Sequence, residues 1–175
     1  MDIVKYNDPI LREESKRFNF DDPPFDPIEF SQNLVSLMYG NNAICLTAQQ
    51  VGVPYRIFAM RGSPENFVCF NPKIVTESEE KIKLEEISLT YPGLRVRITR
   101  SQHCRVRFAT PNSDIRTETF TGMTARVFLQ SCSNLDGIPF WSGISRLELS
   151  MALKKASKLG YSYHGHNFLK FCKDN

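Results

Sequence analysis

Gln130-Ser131-Cys132-Ser133-Asn134, followed by Leu135-Asp136-Gly137, has the spacing of a metalloenzyme helix without its ligands. In a zinc or iron hydrolase the first and last places of such a run are histidines one helical turn apart. A glutamate directly after the first histidine acts as general base. Here those places hold Gln130, Asn134 and Ser131.

Outward from this helix, two further segments carry the reading. One is Ala43-Ile44-Cys45-Leu46-Thr47-Ala48-Gln49-Gln50-Val51-Gly52, and the other is Glu86-Ile87-Ser88-Leu89-Thr90-Tyr91-Pro92-Gly93. With Met123-Thr124-Ala125-Arg126-Val127 leading into the helix, they resemble in order and spacing the motifs of peptide deformylases. Those motifs run roughly GφGLAAxQφG, EGCLSxPG and QHExDHLxG, where φ is apolar. Val4 to Arg12 also resembles the family's opening, so the resemblance covers about residues 4–140. It implies an α+β fold in which antiparallel sheets pack around a central helix bearing the former HExxH motif. The whole of 1–175 then reads as a single domain.

The resemblance also defines what has changed. The family's metal is held by the cysteine of the second motif and the two histidines of the third, positions that here are Ser88, Gln130 and Asn134. A serine hydroxyl stays protonated near neutral pH, whereas a cysteine beside a metal becomes a thiolate. Amide oxygens are neutral, hard donors suited to calcium-like sites rather than to a transition metal. No catalytic metal and no other cofactor is therefore expected. Ser131 stands in the glutamate position, so the proton shuttle is missing as well. General acid–base catalysis contributes about 10²–10⁴-fold, and metal-bound hydroxide is itself the nucleophile.

Other parts of the family's apparatus remain. Gln50 matches the glutamine that, with the backbone N–H of Leu89, polarises the formyl oxygen. Glu86, Pro92, Gly93 and Arg100 match too. Ile44, Gln50, Glu86, Leu89, Arg100 and Val127 are the residues expected to meet a peptide. Ser88, Gln130 and Asn134 either face one another and replace the metal by hydrogen bonds, or line a wet pocket.

Composition sets bounds. A 175-residue chain with 41% hydrophobic residues forms an ordinary core without staples. No apolar run reaches the roughly 20 residues of a membrane span and no signal segment is evident, so a cytoplasmic protein is expected. Net charge is only +3, unlike a dedicated nucleic-acid binder. Cys45, Cys69, Cys104, Cys132 and Cys172 form no CxxC pair and read as reduced thiols without disulfides. Cys132 shares helical spacing with Ala125, Phe128 and Leu129, which places it on a buried face away from any local histidine.

Asp26-Pro27-Ile28-Glu29 starts a helix that carries Phe30, Leu34, Leu37 and Met38 on one face and ends near Gly40. Ile57–Met60 and Phe67–Phe70 read as strands about a turn at Gly62-Ser63-Pro64. Cys104, Val106 and Phe108 alternate with Arg105 and Arg107, a half-buried strand with a basic outer face. The wider basic run (Arg95, Arg97, Arg100, His103, Arg105, Arg107) is read as solubility and edge protection. Ser145 and Glu148 cap a helix over about 145–159, with Leu149, Leu153 and Ala156 along one face. Its Lys154, Lys155 and Lys158 are solvated or, as a C-terminal helix can in deformylases, contact the ribosome. His164, His166 and Cys172 are read as tail residues rather than a metal trio.

Three functions are expected in turn. The first is a deformylase-fold pseudoenzyme whose cleft binds a peptide or protein N-terminus added as a strand beside Leu46 and residues 86–91. The second is a structural or interaction protein with a closed cleft, for example of a virus. The third is an active N-formylmethionine peptide deformylase with unusual ligands, or a changed mechanism through Cys132. The stretch from Gly122 to Arg126 and the short C-terminal region resemble compact deformylases of bacteriophages, implying a viral origin and action in host cytoplasm.

Overall fold

In the computed structural model residues 1–164, together with Phe168 and Cys172, are described. His166 lies outside the described residues.

Strands form where apolar side chains alternate with polar ones or run together. They are β1 (Cys45–Thr47), β2 (Ile57–Met60), β3 (Phe67–Glu77), β4 (Lys81–Glu86), β5 (Val96–Ser101), β6 (His103–Ala109) and β7 (Ile115–Thr121). An antiparallel sheet takes the order β1-β2-β3-β6-β7, and β4-β5 is a separate antiparallel pair. Residues of β2 show how the sheet is shared. Phe58 and Met60 point into one core, Ile57 and Ala59 into another on the opposite face.

α1 (Pro27–Gly40) covers the second face. The Asp26 carboxylate accepts the backbone N–H groups of Ile28 and Glu29, satisfying two donors that a helix start leaves without partners. Phe30, Leu34 and Met38 are buried from α1 as the spacing predicts. α2 (Gly122–Leu135) covers the first face and packs Ala125, Phe128, Leu129, Cys132 and Leu135 against Phe58, Val106, Phe108 and Phe120. Its end is set by Gly137 in left-handed conformation (φ +69°), where a Cβ would stand 2.6 Å from the carbonyl oxygen of Arg12.

α3 (Arg146–Lys158) begins with a reciprocal cap. The Ser145 hydroxyl accepts the Glu148 N–H, and the Glu148 carboxylate accepts the Ser145 N–H. With the β4-β5 pair it encloses a third core around Tyr91, Leu94, Ile98, Trp141 and Leu149. Trp141 is fully buried there, edge-on to Tyr91 at 4.7 Å between ring centroids. Lys154, Lys155 and Lys158 lie exposed on α3.

The edge protection expected of the β6 arginines is not met. β6 carries the alternation expected of it, but it lies between β3 and β7, and the sheet edges are β1 and β7. Its arginines therefore protect no edge. Cys69, Cys104 and Cys132 are buried free thiols and Cys45 is a half-buried one. Among the described residues no helix is long and apolar enough to cross a membrane.

Candidate functional site

A cleft of about 460 Å³ opens between the edge strand β1, residues 85–93 and one face of α2. Ile44, Gln50, Glu86, Leu89 and Val127 line it, as do Ser88, Gln130 and Asn134. Arg100 stands behind the wall and Ser131 is wholly buried, so neither lines the opening. The rim is apolar: Ile44 is 48% exposed, Ile87 56% and Met123 55%.

Each polar side chain here is positioned by its element. Gln50 sits in a short helical turn (Ala48–Val51), and its Oε1 accepts both the backbone N–H of Thr47 (3.0 Å) and the Thr47 hydroxyl (3.2 Å). That bonding leaves the amide nitrogen directed at the 86–91 segment, where Nε2 donates to Thr90 Oγ1 at 2.9 Å. Gln130 Nε2 donates to the carbonyl of Ile87 at 3.0 Å. The expectation that Ser88, Gln130 and Asn134 bond to one another is thus corrected, because a main-chain acceptor within reach holds the Gln130 amide. Ser88, Asn134, Gln50 and Thr90 instead border a side cavity of about 20 Å³, room for a single water.

The wall behind the cleft is ionic. Glu86 receives Arg100 through Nε (2.6 Å) and a second guanidinium nitrogen (3.0 Å), and Arg126 at 2.6 Å. Arg126 also donates to the carbonyl of Ile98 at 3.1 Å. Burial of one carboxylate between two guanidiniums keeps all three charged groups bonded, which ties α2 to the β4-β5 pair.

Ser131 is wholly buried and does not line the opening, and its hydroxyl finds no well-placed hydrogen-bond partner. Cys45 of β1 lies against it. Burial pushes the Cys45 thiol up to about 11, with the Ser131 contact acting in the opposite sense. Cys132 is buried in the core and its thiol is pushed up to about 12 by desolvation, so it stays protonated near neutral pH.

The donor set decides what the cleft could hold. A hydroxyl and two carboxamides supply no charge to a transition metal, and among the described residues no group of three or more His, Cys, Asp or Glu side chains could hold an ion. These residues do not fit the family's metal.

The sequence model of the polypeptide deformylase family matches residues 1–150. This chain belongs to the polypeptide deformylase family. A peptide deformylase of Pseudothermotoga lettingae is 35% identical over 134 residues, 76% of each chain. That of Thermodesulfovibrio yellowstonii is 32% identical over 161 residues, 89% of this chain and 95% of the relative. Among solved structures, the peptide deformylase of Synechococcus elongatus in complex with actinonin superposes with a TM-score of 0.80 at 26% identity, covering 90% of this chain and 86% of that one. Peptide deformylase 1B of Arabidopsis thaliana reaches a TM-score of 0.83 at 23% identity, over 95% and 98% of the two chains. The likeness establishes the deformylase α+β fold. None of these names speaks for a viral source.

Set against the deformylase motifs, three further departures line the cleft, and Ala43 stands at the first glycine of the first motif. Cys45 stands at the second glycine of the first motif, and Ile87 at the glycine of the second. All three are legible position by position in the motif strings. Arg126 had no such signal, since a helical arginine reads as a surface residue until its buried carboxylate is known.

Proposed function

We propose that this deformylase-family chain binds the N-terminal segment of a peptide or partner protein in its cleft and does not perform metal-dependent deformylation. The observation that carries the proposal is the set of side chains at the reacting centre. Ser88, Gln130 and Asn134 offer no thiolate or imidazole, and Ser131 offers no base to the opening. Deformylation asks for an activated water, and nothing lining the cleft replaces the metal that would activate it. Of the two carboxylates that line the cleft, Glu86 is bonded to two guanidiniums and Glu85 to that of Arg95.

Binding is supported by shape and by the backbone. The cleft is open and rimmed by Ile44, Ile87 and Met123, which disfavours the closed-cleft structural reading. β1 is an edge strand, and the Arg61 N–H donates to the Ile44 carbonyl. By antiparallel alternation, Cys45 then turns its main-chain groups outward, where an extended peptide can add as a strand. Leu89 and Val127 are assigned to apolar contact with that peptide, and Gln50 to a carbonyl of it. The exposed Lys154, Lys155 and Lys158 on α3 are kept as a candidate ribosome contact, to be checked by co-sedimentation.

A second reading, an active deformylase with unusual ligands, draws on the relatives' shared name and on Gln50 and Leu89 at their family positions. One experiment separates the two. Elemental analysis of purified, untagged protein is paired with a formyl-Met-peptide assay under anaerobic conditions with added iron, nickel or zinc. Saturable peptide binding by calorimetry, with neither metal nor turnover, is the expected result. Stoichiometric metal with turnover establishes the second reading and ends the first.

A further inference from the structure

On the far side of α2 from the cleft lies a groove of about 690 Å³ whose charged lining is Arg17, Arg56, Lys73, Arg107 and Asp136. Asp136, the carboxylate of this lining, is bonded to Arg56 at 2.5 Å. Arg17, Lys73 and Arg107 form no ion pair among the described residues.

The sheet register explains why this is unusual. Lys73 of β3 is the direct antiparallel partner of Arg107 of β6, and Arg107 is in turn opposite Thr117 of β7. Arg105, two residues along the same face, lies between Thr76 and Thr119. Like charges directly opposite one another destabilise a sheet. Elsewhere in the chain arginines are given partners: Arg95 has Glu85, Arg100 has Glu86 and Arg116 has Glu65. At the face shared by β3, β6 and β7 a lysine instead stands opposite an arginine, and both arginines of β6 stand opposite threonines. Since β6 is interior to the sheet, edge protection does not account for them.

We infer that this face is a second binding site, for the phosphate backbone of a single-stranded nucleic acid, carried by Lys73, Arg105 and Arg107 with Thr117 and Thr119. A row of cations spaced along a sheet and flanked by hydroxyl donors matches a chain of phosphates rather than a single anion. The groove beside it exceeds what one phosphate fills, and Phe20 and Ile115 give it apolar surface on which base faces can rest. The site is independent of the cleft and of the lysines on α3.

The test is fluorescence anisotropy of a labelled single-stranded RNA of about 12 nucleotides against the whole chain. With three phosphate contacts, each weighted about 0.7 in the logarithmic salt slope, affinity is expected to fall roughly 20-fold from about 50 to about 200 mM salt. Combined Lys73→Gln, Arg105→Gln and Arg107→Gln is expected to weaken binding at least tenfold and flatten that dependence, while Arg97→Gln, at an exposed arginine of β5 away from this face, leaves it unchanged. Should the triple variant fail to fold, Lys73→Gln and Arg107→Gln are read singly, each lowering the slope by about 0.7. Lys73→Glu gives a second readout: the thermal midpoint rises, because repulsion across the strands becomes attraction, and RNA binding is lost. No saturable binding at low salt overturns the inference. So does undiminished binding by the variants, loss of binding in the Arg97→Gln variant, or equal displacement by a polyglutamate chain.

Discussion

Glu86 shows how much one buried side chain can organise. Its carboxylate is shared by Arg100 and Arg126, and Arg126 is itself nearly inaccessible. Removing the charge leaves two buried cations without their counter-ion, so Glu86→Gln is expected to cost about 3–5 kcal/mol, read as a lower urea midpoint. Ser131 and Cys45 form the other telling pair. Deformylases have glutamate and glycine at these places, and here a smaller side chain on α2 is matched by a larger one on β1. Reinstating the family's residues at Ser88, Gln130, Ser131 and Asn134 therefore requires Cys45→Gly as well. Ser131→Glu alone is expected to lower the thermal midpoint, as a carboxylate enters a fully buried position occupied on one side by sulfur. Adding Cys45→Gly should recover most of that loss. If the fourfold variant gains metal and turnover with Cys45 still in place, this steric account is wrong. The pH dependence of the Cys45 thiol offers an independent check: raised to about 11, it should alkylate about tenfold faster for each pH unit from neutrality toward that value.

At the scale of elements, starts and stops are the most local features and the easiest to challenge. Asp26→Ala removes the acceptor of two N–H groups at the head of α1, with an expected cost of about 1 kcal/mol in denaturant titrations. Gly137→Ala is expected to cost more, since a Cβ there meets the main chain of Arg12 in addition to the unfavourable φ. These same features were legible in the sequence. Asp26, Ser145 and Gly137 act within a few residues of themselves, so their meaning does not depend on the rest of the fold. The inward and outward faces of β6 were legible for the same reason, by simple alternation of Cys104, Val106 and Phe108 with arginines. Its neighbours were not. That Lys73 stands opposite Arg107, and that Gln130 reaches the carbonyl of Ile87, depend on pairings between segments far apart in the chain, which no local pattern encodes. The cleft was legible only because three motifs in order resemble those of a known family. Its ionic wall through Arg126 was not.

For the whole molecule, three cores share the load: one under α2, one under α1 and one beneath the β4-β5 pair. Desolvation raises the buried Cys104 thiol to about 11 and the half-buried Tyr163 phenol to about 12. A group with a raised folded pKa contributes stability that is complete below its unfolded value and declines as pH rises through the folded one. Between about pH 9 and about pH 12 the unfolded chain releases protons that the folded chain retains, so stability should fall steadily across that window. Urea midpoints under reducing conditions at increasing pH would show it; a flat profile would contradict the burial of these groups. The third core has a property of another kind. The sequence contains a single tryptophan, Trp141, and its indole lies against Tyr91, a residue that also lines the cleft. Light emitted by this chain on excitation at the red edge of its absorption therefore comes from one site one ring away from the opening. A peptide settling against Tyr91 would change the colour or brightness of that emission, so the molecule carries its own optical gauge of occupancy and needs no label.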